Sequence, residues 1–274
     1  MLVLGYLLAT VVGFSLGALG AGGAILAIPI FIYVWKFQNK EAIASAFVIV
    51  AIVGLLSAWK HFKDGHVNFK LLCIFAPTTM LGAYVGVIFS QKVAPSIQLM
   101  MLAVIMIFSA LLMLLPHPNT PEEHNDFYDE PSPLKTPVPF LPLAMGLMVG
   151  VMVGLVGVGS GLIMLPLLVT VFQVPLRQAI GTTLVISVMN AAVGAFSSLQ
   201  YTHIPWELVM PFAGIALVGG LTGAYMNTRM PLGLLRKALS VVMLAVAGAM
   251  IYENLSFITG GQLIGTMVSQ VSHR

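Results

Sequence analysis

The chain reads as long apolar runs separated by short polar punctuation. Val3–Trp35, Ala42–Trp59, Leu71–Ser90, Ile97–Leu115, Leu141–Phe172, Leu184–Leu199, Leu208–Tyr225 and Ala238–Tyr252 hold almost no charge. A helix needs roughly 20 apolar residues to cross a bilayer core, and only helices or closed barrels satisfy their backbone there. The runs are rich in Leu, Met, Ala and Gly and lack the period-two alternation of a barrel strand. The pattern therefore predicts an all-α, multi-pass protein of the cytoplasmic (inner) membrane.

The same pattern occurs twice. Shifting the sequence by 137 residues pairs Gly13 with Gly150, Gly17 with Gly154, Gly20 with Gly157, Gly22 with Gly159 and Pro29 with Pro166. The register continues through Ala42/Ala179, Ile43/Ile180, His66/His203, Phe75/Phe212, Gly82/Gly219 and Gly86/Gly223. Chance matches between Leu-rich helices do not hold glycines and prolines in one register. Residues 1–115 and 138–253 are thus read as two repeats, and 254–274 as a tail without a counterpart. Between the repeats, 116–137 carries six prolines with Glu122, Glu123, Asp126, Asp129 and Glu130. That composition describes a solvated linker, with His117 and His124 belonging to the connector rather than to a metal site. The repeat also bears on the N-terminus. Leu2–Ala24 resembles a signal peptide but lacks a basic leader and matches part of the second half.

The leading run of each repeat carries the most information. As one helix, Val3–Trp35 would be about 50 Å long, against a core of roughly 30 Å. Its middle reads Gly17-Ala-Leu-Gly20-Ala-Gly22-Gly23, with Pro29 beyond, and the second half reads Gly154-Leu-Val-Gly157-Val-Gly159-Ser160-Gly161, with Pro166 beyond. Glycine at this density breaks a helix. Each run is therefore expected to form two shorter helices meeting at an unwound turn, followed by about three transmembrane helices. A helix restarting after such a turn presents N–H groups and a positive dipole end, which suit an anion. Broken helices at matching places in two halves point to a transport site. Gly13, Gly17 and Gly20, and likewise Gly150, Gly154 and Gly157, also fit a simple packing stripe.

The candidate binding residues are accordingly Gly20, Gly22 and Gly23 in the first half and Gly157, Gly159, Ser160 and Gly161 in the second. Ser45, Thr182 and Thr183 lie just after the next helix starts, near Asn39 and Pro175. Their hydroxyls can serve an oxyanion or bond the preceding turn, and both uses stay open. Asn190 is an isolated polar residue in an apolar run, suited to a ligand or to an interhelical hydrogen bond.

Charge refines the picture. Hydrophobic residues make up 59% and charged residues 8% of the chain, whose formal net charge is +3; soluble domains carry about 25% charged residues. Lys36, Lys40, Lys60, Lys63, Lys92, Arg177, Arg229, Arg236 and Lys237 stand singly at run ends, as basic residues do at headgroups. Nucleic acid is not an expected partner; lipid is. Glu41, Asp64, Glu207 and Glu253 all sit near run ends, so no carboxylate relay crosses the membrane. His66 and His203 occupy matching loops and read as interfacial anchors. Folding each leading run as a hairpin splits the 12 Lys and Arg about eight to four across the membrane, a stronger bias than a single crossing gives. That favours inverted repeats. Cys73 is the single cysteine, so no internal disulfide forms.

The Gly-x-Gly-Gly…Pro segment, followed by Ala-Ile-Gly-Thr-Thr, resembles the TauE/SafE family of sulfite and organosulfur-anion permeases. The second half fits best, at Gly157–Gly161, Pro166 and Ala179–Thr183; the first half has Ala44-Ser45-Ala46 instead of Gly-Thr-Thr. The resemblance covers nearly the whole chain outside linker and tail. It implies a secondary transporter for sulfite, a sulfonate, sulfoacetate or a thiosulfate-like anion, with or without a coupled proton, and no cofactor. A channel-like anion pathway and a non-transporting membrane assembly protein are the alternatives. An intramembrane enzyme would need paired Asp, a Ser/Lys or Ser/His couple, or an H-E-x-x-H motif in its spans; the runs contain none.

Overall fold

The computed structural model describes residues 2–19, 23–114, 141–157, 159–226, 237 and 240–252. The linker 116–137, the tail 254–274 and the candidates Gly20 and Gly22 lie outside them, as do His117, His124, Arg229 and Arg236. Among the described residues the chain is all helical, as the apolar runs require: α1 (Leu2–Leu19), α2 (Gly23–Pro29), α3 (Asn39–Lys63), α4 (Phe69–Ser90), α5 (Pro95–Leu114), α6 (Leu141–Val156), α7 (Gly161–Thr170), α8 (Leu176–Ser198), α9 (Trp206–Met226) and α10 (Ser240–Tyr252). Within this set, α3, α4, α8 and α9 are long and apolar enough to cross a membrane. The protein is a multi-pass membrane protein.

The second leading run is broken at its glycines, between α6 and α7; in the first, α1 is described to Leu19 and α2 from Gly23. The restart helices differ in one respect. Pro29 has no N–H to give the preceding turn, and after it α2 widens into a π-helical stretch, Ile30–Val34. The two ends then close alike. Lys36 and Gln173 take positive φ, +57° and +51°. Phe37 N–H donates to Phe31 O and Val174 N–H to Leu168 O, both at 3.0 Å. These pairs stand 137 residues apart, as do the starts of α3 and α8 and of α4 and α9.

Local chemistry fixes the helix starts. Gln38 and Glu41 form a capping box on α3, with the Gln38 N–H donating to Glu41 Oε2 at 3.1 Å. Asn68 Oδ1 accepts from the N–H groups of Lys70 and Leu71 at the start of α4.

The core is made by helices of one half packing on helices of the other. α1 lies against α9 and α4 against α6, while α3 and α8 form a central pair. Glycine makes the outer seams. A Cβ on Gly13 would stand 1.8 Å from Ala216 O, and one on Gly17 1.9 Å from Gly220 O. Across the other seam, a Cβ on Gly82 would meet Leu147 O at 2.4 Å and one on Gly86 would meet Val151 O at 2.4 Å. Backbones this close leave no room for a side chain. Gly13, Gly17, Gly150 and Gly154 are therefore packing residues. Two edge-to-face ring pairs add a tie on each side: Trp35 with Phe212 (5.5 Å, 79°) and Phe172 with Phe75 (5.3 Å, 81°).

Candidate functional site

The second glycine break is the better described of the two. Gly157 ends α6 with φ +79° and donates its N–H to Val153 O at 2.8 Å. This left-handed closure is one glycine adopts without strain. Ile43 of α3 occupies the space a Cβ on Gly157 would need, at 2.4 Å. α7 then restarts at Gly161.

Ser160 precedes that restart but does not cap it; its side chain makes no hydrogen bond to the first turn. Its hydroxyl instead lies 2.8 Å from the Ser187 hydroxyl on α8, and both residues are buried. The first-turn N–H groups of α7 thus receive no side-chain acceptor from their own N-cap, and an orphan helix start is a site for an anion. Asn190 stands three residues beyond Ser187, on the same face of α8. It is 0% exposed, and neither its amide nitrogen nor its amide oxygen has a hydrogen-bond partner. Leaving such a group unsatisfied costs roughly 1–3 kcal/mol, so a buried orphan amide calls for an explanation. Contacts between α3 and α8 bracket it: Gly54 against Val188 and Gly194 against Phe47.

The hydroxyls after the helix starts divide. Thr183 donates to Ile180 O at 3.0 Å, a bond to its own preceding turn. Thr182 Oγ1 accepts the Asn68 N–H at 2.9 Å, and Gly181 lets His66 O approach where its Cβ would stand, at 2.3 Å. Together they dock the α3–α4 loop onto the start of α8. Ser45 is fully buried and has no partner. The register explains the contrast: the counterpart of Asn68 is Pro205, which has no N–H to donate.

Several predicted residues therefore come together and others do not. Gly157, Gly159, Ser160 and Gly161 form the turn between α6 and α7, with Ser160 joined to α8, the helix that carries Thr182, Thr183 and Asn190. Gly23 opens α2, which packs on α3, the helix carrying Ser45. Each restart helix lies on its own half's long helix, and the central α3–α8 pair joins them. Ser187 was not singled out from the sequence, although its place three residues before Asn190 puts two polar groups on one helix face. His61 was also passed over, because a histidine two residues from the end of α3 reads as part of a polar helix end. It is 2% exposed.

Comparison with known proteins agrees in kind. A family model described as sulfite exporter TauE/SafE matches residues 5–250. A probable membrane transporter protein of Xylella fastidiosa (strain 9a5c) is 30% identical over 254 residues, covering 89% of this chain and 92% of that protein. A probable membrane transporter protein of the Temecula1 strain is 29% identical over 252 residues, with the same coverage, 89% and 92%. The probable membrane transporter YunE of Bacillus subtilis is 25% identical over a 276-residue alignment, covering 93% and 97%. No solved structure gives a significant match.

Proposed function

The chain belongs to the sulfite exporter TauE/SafE family, and from that premise we propose that it is a secondary transporter for a small sulfur-containing anion. Sulfite, a sulfonate, sulfoacetate and thiosulfate are the candidate substrates, and alternating access between two inverted repeats is the mechanism. The reading rests most on Asn190, a fully buried amide with no partner, on the helix face whose Ser187 joins the uncapped start of α7. An oxyanion there takes N–H from Asn190, O–H from Ser160 and Ser187, and backbone N–H from the turn at Gly159 and Gly161. Such donors are neutral. They bind an anion without holding it as a buried ion pair would, which suits a site that must release what it takes up. Ser45 and Gly23 belong to the first-half counterpart, which in sequence also takes in Gly20 and Gly22.

The inverted arrangement is supported by helix direction. Gly13 and Gly17 meet Ala216 and Gly220 in the same order, so α1 runs parallel to α9. Phe47 meets Gly194 and Gly54 meets Val188, so α3 and α8, which are counterparts, run antiparallel.

The test is counterflow in proteoliposomes with sulfite, methanesulfonate, sulfoacetate and thiosulfate. At least one anion should exchange saturably. Asn190→Leu, similar in size and free of the orphan amide, should fold as well as wild type and lose transport by tenfold or more. Flux of none of the four anions would sink the proposed substrate class; non-saturable flux would turn the reading to a channel-like pathway. Unchanged transport by Asn190→Leu would place the site elsewhere.

A further inference from the structure

His61 is the buried histidine among the described residues, and the site described above does not use it. It lies on α3, two residues before the helix ends, and is 2% exposed. Its Nε2 stands 3.4 Å from the carbonyl oxygen of Gly17, at the long end of hydrogen-bonding distance. A carbonyl only accepts, so Nε2 carries the hydrogen. The other ring nitrogen, Nδ1, is then a bare acceptor, and it is buried without any donor.

That position has a specific neighbour. Gly17 lies on α1, so His61 meets a backbone carbonyl of that helix. A proton taken at Nδ1 gives the ring a second N–H and a positive charge.

The titratable and charged groups around it are few. On its own element stand Lys60, which is paired with Asp64, and Lys63; in the following loop His66 places its ring 6.1 Å away. Of the elements packed on α3, α1 brings only Tyr6, α2 and its π-helical continuation only Tyr33, and α5 none. The remaining two, α8 and α9, carry Arg177 and Glu207 in their first turns, and α9 has Tyr225 in its last. No carboxylate is buried among the described residues to take a proton in place of His61.

We propose that His61 is the proton-binding group of the transporter, its Nδ1 taking the coupled proton while its Nε2 keeps the contact with Gly17 O on α1. The two halves then divide the labour. The residue matching His61 is Ser198, and the residue matching Asn190 is Val53. α3 thus carries a titratable group where α8 has a serine, and α8 an amide where α3 has a valine. A proton at His61 offsets the charge of the anion held beside α8, so that the loaded protein crosses between states with one charge fewer.

This inference rests on the transporter reading, and counterflow separates the two. Each of the four anions that exchanges under equal pH is tested again with an inside-alkaline gradient of one unit. One proton moving with a monoanion such as methanesulfonate supports roughly tenfold accumulation. Wild type should reach it, whereas His61→Gln, which keeps an N–H for Gly17 but cannot titrate, should exchange normally and accumulate nothing. His61→Ser, copying Ser198, should do the same and stands in if the glutamine variant misfolds. The melting temperature of wild type should also depend on pH in a way that both variants lack. Gradient-driven accumulation by either variant, or a wild type indifferent to the gradient, overturns the role of His61 while leaving transport intact. Absence of counterflow in wild type overturns both.

Discussion

Gly157 closes α6 in a left-handed conformation, and Ile43 stands where its Cβ would be. Alanine there strains the backbone by about 1–2 kcal/mol and already sets its Cβ against Ile43, and valine deepens that clash so that α3 or α6 must move. Gly157→Ala should therefore lower the thermal midpoint in detergent, and Gly157→Val should lower it further, by roughly 2–4 kcal/mol in all. Equal midpoints for wild type and valine would mean that the turn is not built this way. Residue chemistry in the site was partly legible from sequence. Asn190 was visible as a lone polar residue in an apolar run, and Ser160 as the odd residue in a glycine cluster. Their connection through Ser187 was not, because a serine on a helix gives no sign of which neighbour it faces. Ser45 and Thr182 looked alike as hydroxyls at matching positions. They differ because Asn68 offers Thr182 an N–H where Pro205 offers Ser45 none, a fact that only the docked loop makes relevant.

At the level of elements, the glycine cluster of the second leading run predicted the break between α6 and α7, and the starts expected near Asn39 and Pro175 fall where α3 and α8 begin. The π-helical stretch after Pro29 was not foreseen. Proline removes one hydrogen bond, but whether the helix kinks, stops or widens depends on what packs around it, here Phe31, Trp35, Phe37 and Phe212. The glycine stripes carried two readings, and the seams separate them. A stripe residue that touches a neighbouring backbone cannot be enlarged, whereas one facing outward can. Gly82→Val puts a branched side chain where Leu147 O lies 2.4 Å from the Cβ position, so α4 and α6 must part. The loss should be several kcal/mol, on the scale of overpacking a core. Gly214, with nothing within 4 Å of its Cβ position, is the control on α9. Gly214→Ala should leave the midpoint unchanged or raise it by up to about 1 kcal/mol. Paired thermal melts of the two variants in one detergent decide it, and a tolerated Gly82→Val would remove the seam.

For the molecule as a whole, the direction of each helix follows from three contacts. α1 is parallel to α9, α4 is parallel to α6, and α3 is antiparallel to α8. The short turn Asp64–Asn68 reverses the chain between α3 and α4. If α3 points up, then α4, α6 and α8 point down, and with a matching reversal between α8 and α9, α9 and α1 point up. On the proposed inversion, α1, α3 and α4 take the opposite sense to α6, α8 and α9, their counterparts 137 residues away. That is the relation an in-plane two-fold axis produces, and the basic residues at the run ends favoured it by a modest margin. It makes a prediction that needs no substrate. Lys63, at the end of α3, and Gln200, just past the end of α8, are matching exposed positions. In a Cys73→Ser background, Lys63→Cys and Gln200→Cys should be labelled by a membrane-impermeant maleimide from opposite faces of inverted and right-side-out vesicles. Parallel repeats would place both on one face. Labelling of the two cysteines from the same side would refute the inversion, and with it the symmetry that makes alternating access around α3 and α8 mechanically simple. The seams and the buried amide would survive that result, since neither depends on which way the halves face the membrane.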